Sequence, residues 1–143
     1  MPSSTSFEKL LEEEGQLFFT NVGYSMYPLI RPREDVLHIV KTDSFQKGDV
    51  ALYKDAQGKY ILHRILKIKK GMVTLAGDYN PFKDKKIPES CLLGILVDVT
   101  KKDGTKTILK EESKARRFFY TNCFYLKAFG QNIARLLHLR KIK

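Results

Sequence analysis

Turn-forming residues recur so often between Phe45 and Pro81 that no helix of ordinary length fits between them. "KGD" at 47–49 leads into "VALYK", "DAQGK" at 55–59 into "YILHRILKI", and "KKGM" at 69–72 into "VTLAG". Each intervening run is short, rich in Val, Ile, Leu and Tyr, and bounded by Gly or Asp. That is the signature of strands joined by tight connections. Further on, "CLLGILVDVT" and "TKTIL" read as two strands about the turn "KKDGT". The pattern predicts a mainly β fold, a coiled sheet or partial barrel.

The flanks differ from this body. "TSFEKLLEEEG" (5–15) predicts a short helix capped by Thr5, with Glu8 placed for a capping box and Gly15 at its end. "QLFFTNV" and "DVLHIVK" follow as strands. In "YILHRIL", alternation puts Tyr60, Leu62 and Arg64 on one face and Ile61, His63 and Ile65 on the other. Toward the C-terminus, Phe118, Tyr125, Phe129, Ile133 and Leu136 fall at helical spacing with basic residues between. This predicts an amphipathic helix, bent or interrupted at Gly130. The expected division is a β domain over 1–112 and a basic helical extension over 113–143.

Charge separates the two parts. The 143 residues carry a net +10, yet residues 114–143 alone hold eight Lys or Arg and no Asp or Glu. The body is nearly balanced, which argues against specific nucleic-acid binding. The basic segment suits packing on its own domain, peripheral contact with an anionic membrane surface, or a partner protein. No apolar run approaches the roughly 20 residues that span a bilayer, and the N-terminus is polar and acidic. The expected location is the cytoplasm, with attachment to the inner membrane surface through 114–143 as the variant. Cys91 and Cys123 are expected to be reduced and to pack as small hydrophobes. His38, His63 and His138 lack metal-ligand spacing, so no cofactor or metal is expected.

One short stretch asks for chemistry. In "GYSMYP" (23–28) a turn accounts for Gly23 and Pro28 but does not require Ser25. A serine is a poor nucleophile without an adjacent base. His63, flanked by aliphatics on its strand, would want a polar partner. Asp78 and Asp84 in "GDYNPFKD" (77–84) both qualify to orient its imidazole. The chain thus holds the parts of a Ser-His-Asp arrangement, Ser25, His63, and Asp78 or Asp84. His38 reads as a strand residue without a catalytic part.

The order of four boxes, "GYSMYP", "KGDVALY", "YILHRI" and "GDYNPFKD", resembles the signal peptidase I and LexA-like serine peptidase superfamily, over about residues 20–97. In that superfamily the Ser-Met-x-Pro box carries the nucleophile, a strand box carries the general base, and a Gly-Asp-Asn box follows. Histidine rather than lysine at position 63 looks like the Ser-His branch. There the working aspartate comes six residues after the first Asp of the last box. The resemblance therefore implies Ser25 as nucleophile, His63 as general base and Asp84 as the orienting acid. Asp78, Met26 and Arg64 would support the site. The chain departs from the family at Tyr79, where the box has Asn, and at Gly23, where some bacterial members carry a serine oxyanion donor. The oxyanion would then rely on backbone N–H groups, chiefly that of Ser25.

What the resemblance implies is a serine endopeptidase that forms an acyl-enzyme. The implied substrate is a leader, signal or propeptide with small residues near the cleaved bond. Cleavage in trans is expected, because no Ala-Gly or Cys-Gly bond precedes the first box. A histidine base, with a reference pKa of ~6.5, implies activity that falls in mild acid. The rival expectation is a non-catalytic relative that holds a peptide at a sheet edge and docks through its basic tail.

Overall fold

The computed structural model describes residues 6–84, 86–111 and 114–142. Its elements run in the order α1 (Phe7–Glu14), β1 (Gln16–Thr20), β2 (Val36–Lys41), β3 (Val50–Lys54), β4 (Tyr60–Lys69), β5 (Met72–Ala76), β6 (Ile87–Pro88), β7 (Leu92–Thr100), β8 (Lys106–Ile108), α2 (Lys114–Asn122) and α3 (Phe124–Ile142). The strands form one curled antiparallel sheet in the order β1-β2-β7-β3-β4-β5-β6, with β8 paired to β7. The mainly β expectation holds.

The turns act as their residues dictate. Lys70 and Gly71 take positive φ, 53° and 73°, in the two-residue connection from β4 to β5. Such turns match the twist of the strands they join. Asp55 Oδ1 accepts from the N–H groups of Gln57 and Lys59, closing the β3–β4 hairpin. β4 is buried on both faces. Leu62 belongs to a core with Met26, Leu29, Ile30 and Leu37, and Ile65 to a second with Ala51, Val73 and Leu75. This two-sided burial lets one strand carry His63 toward one side and Arg64 toward the other.

Four expectations need correction. The cap of α1 is Ser6, whose Oγ accepts from Lys9 N at 3.2 Å; Thr5 lies outside the described residues. Glu8 is not used in a capping box but accepts from the Tyr60 hydroxyl. That bond holds the Glu8 carboxyl below its usual range, so its support for α1 docking is lost as pH falls through the lowered value. The C-terminal segment breaks at Cys123 and not at Gly130, because α2 ends at Asn122 and α3 runs through Gly130. Cys91 is exposed and not packed; both cysteines are free thiols.

α2 and α3 lie against β4 and β5. Phe124 and Ala128 close over Leu66 and Ala76 as a small third core. Arg117 reaches Asp49 at 3.2 Å. His38 ties three strands, its Nδ1 bonded to Asp98 Oδ2 and its Nε2 to Gln16 Oε1, both at 2.8 Å, while stacked on Phe18.

Candidate active site

Ser25 sits in the loop between β1 and β2, and the loop is built to be rigid. Met26, Leu29 and Ile30 point into the core and are 0–3 % exposed. Burial of side chains this size stabilises by about 1.5–3 kcal/mol each. Lys101 Nζ donates to Leu29 O at 2.8 Å and to Asp35 Oδ2 at 2.7 Å, and Asp35 Oδ2 also accepts from Arg31 N. Arg33 N donates to Asn21 O, pinning the loop's ends together. The Tyr27–Pro28 peptide is cis. Ser25 itself is half-buried, between exposed Tyr24 and buried Met26.

A second loop, 77–84, meets the first. Tyr79 N donates to Ser25 O at 2.8 Å, and Asp78 N to Met26 Sδ at 3.4 Å. Gly77 is the tightest point. A Cβ there would lie 2.4 Å from Ser25 O, 2.9 Å from Ser25 Cβ and 3.1 Å from His63 Nε2. The serine side chain and the imidazole Nε2 therefore flank the same small volume. No hydrogen bond joins the two side chains. Gly77→Ala pushes a methyl into backbone, which has no room to give. The variant is expected to lose about 1–3 kcal/mol of stability; chemical unfolding measures it.

The two aspartates separate in role. His63 Nδ1 bonds Asp84 Oδ2, which also accepts from the Tyr53 hydroxyl at 2.7 Å. Asp84 N donates to Leu75 O at 2.9 Å, fixing the carboxylate's backbone. Burial, and then the bond to Asp84, push the Tyr53 hydroxyl above its usual range. It stays a donor at any working pH. Asp78 is engaged elsewhere. Arg64 Nε and one terminal nitrogen meet its two oxygens at 2.8 Å each, and both side chains are fully buried. Arg64 also donates to Gly48 O at 3.1 Å. Neighbours on β4 thus hold the two ends of one loop: His63 at Asp84 and Arg64 at Asp78.

The structure brings Ser25, His63 and Asp84 together, with Met26, Arg64 and Asp78 beneath and beside them. Sequence reading missed Tyr53, which "VALYK" offers only as a strand residue, and Lys127 and Gln131, which reach this loop from α3. Beside Ser25 and His63 runs a narrow groove of about 140 Å³, walled by Phe19, Val22, Leu52 and Leu62. Larger hollows lie elsewhere, 610 Å³ between Tyr79 and α3 and 770 Å³ along β7. Neither is lined by Ser25, His63 or Asp84. Among the described residues no cluster of His, Cys, Asp and Glu is placed to hold a metal.

No protein-family model matches the chain, and neither a curated protein nor a solved structure matches it significantly.

Proposed function

We propose that the chain is a serine endopeptidase of the signal peptidase type, cleaving a leader, signal or propeptide in trans. The observation that carries this is the relay Tyr53–Asp84–His63, aimed at the volume that Ser25 shares with Gly77. In this reading Asp84 holds the imidazole with Nδ1 protonated, leaving Nε2 free to take the Ser25 proton. The Ser25 oxygen attacks a peptide carbonyl, His63 passes the proton to the leaving amine, and water releases the acyl group. Among the described residues the Ser25 N–H bonds to nothing in the chain, and in this reading it is the oxyanion donor. The narrow groove suits small side chains near the cleaved bond. A peptide-holding relative has no use for a buried imidazole tied to a carboxylate.

The test compares protein N-termini in cells carrying the native chain, Ser25→Ala or His63→Ala. A shared set of N-termini lost in both variants supports the reading and names the substrate. Identical sets with abundant protein remove it.

Location is a separate matter. Among the described residues no helix is long and apolar enough to cross a membrane. α3, however, turns apolar side chains outward: Tyr125, Leu126, Phe129, Ile133, Leu136 and Leu137 are 41–77 % exposed. With eight basic and no acidic residues over 114–143, the occupant we favour is an anionic lipid surface. Leu126→Ser/Phe129→Ser/Leu136→Ser is expected to abolish sedimentation with phosphatidylserine vesicles. Equal sedimentation of native and variant chains, or a dimer in solution that the variant breaks, overturns this.

A further inference from the structure

The inner face of α3 carries two polar side chains that reach the loop beside Ser25. Lys127 is only 5 % exposed, and its Nζ donates to Gly77 O at 2.8 Å. One turn on, Gln131 Nε2 donates to Asp78 O at 3.2 Å. The next loop residue, Tyr79, gives its N–H to Ser25 O. Three successive residues are therefore tied, two to the helix and one to the serine.

Packing alone does not call for this lysine. Phe124 and Ala128 already fill the contact with Leu66 and Ala76. Burying an ammonium is costly, and burial pushes Lys127 below the usual lysine range despite the nearby Asp78 and Asp84 charges. A methionine would fill similar space without that cost. What the ammonium adds is a fixed grip on the carbonyl of Gly77, the residue wedged between Ser25 and His63 Nε2.

We propose that Lys127 and Gln131 are positioning residues that hold Gly77 and Asp78 in place and thereby set the approach of His63 to Ser25. The kinetic part of this inference rests on the peptidase reading; the structural part does not.

The test uses the full chain with Lys127→Met, Lys127→Arg and Gln131→Leu. Two readouts need no substrate: the His63 Nδ1 proton resonance and the exchange rate of the Tyr79 amide. The third is kcat and KM for a quenched-fluorescent peptide with alanine before the scissile bond. Lys127→Met is expected to shift the His63 resonance, speed Tyr79 exchange and lower kcat about tenfold with little change in KM. Lys127→Arg is expected to restore part of kcat. Unchanged resonance and exchange in Lys127→Met overturn the proposal, as does a native kcat. Should that variant fail to fold, Gln131→Leu, at a half-buried position, decides on the same readouts. A native chain that cleaves nothing, while Lys127→Met still speeds Tyr79 exchange, removes the peptidase reading and upholds the positioning.

Discussion

Ser25→Ala is expected to abolish peptide cleavage while leaving the unfolding midpoint within a degree or two of the native chain. The side chain is half-buried in a loop held by Met26, Leu29, Ile30 and Lys101, and the alanine removes none of these contacts. Asp84→Asn is expected to fall short of that total loss, at roughly 10³–10⁴-fold in kcat, because an amide favours the wrong imidazole tautomer. Tyr53→Phe should cost far less. It removes one of the donors to Asp84 but leaves the bond to His63. That ranking, measured as kcat on one peptide with circular dichroism to confirm folding, separates a catalytic relay from a merely structural cluster. Equal, small losses in all three variants would remove the relay.

The largest stability effect is expected at Asp78. Asp78→Ala leaves the fully buried Arg64 guanidinium without its carboxylate, at a cost of about 3–5 kcal/mol. For a chain of this size that lowers the midpoint by about 10 °C. Replacing both partners, Arg64→Met with Asp78→Leu, is expected to recover much of the loss, since apolar pairs often match buried ion pairs. Calorimetry of the single and double variants checks this. A double variant as unstable as Asp78→Ala would place the effect in the loop backbone and not in the ion pair.

Much of the fold was legible because its rules are local. Gly and Asp turns, with alternating or continuous apolar runs between them, mark β3, β4, β5, β7 and β8 within a residue or two. Ser25, His63 and Asp84 were legible as a set only through the order of four boxes; their residue types alone left Asp78 and Asp84 open. Alternation on β4 already sets His63 and Arg64 on opposite faces; which aspartate meets which face is decided by how the 77–84 loop folds back, and no local pattern encodes that. Tyr53, Lys127 and Gln131 were illegible for the same reason. Each acts through one long-range contact, and nothing in "VALYK" or in a basic helix marks the partner. The break at Cys123 was misplaced at Gly130 because propensity favours the glycine. In the fold, Phe124, Lys127 and Ala128 must turn toward β4 and β5, and that docking sets where the new helix begins.

The bonds that assemble the site bridge long stretches of chain. Asp78 meets Met26 across 52 positions, Lys127 meets Gly77 across 50, and His63 meets Asp84 across 21. Loops of this length close only as the whole fold forms, since their entropy must be met by the sheet and its cores. Synthesis adds a direction to this. Lys127 and Gln131 follow Ser25, His63 and Asp84 in the chain, so a growing chain that already holds those three still lacks the helix that grips their loop. On the proposed peptidase reading, the site stays unset until α3 docks, and a chain cut short before α3 lacks the grip on Gly77 and Asp78.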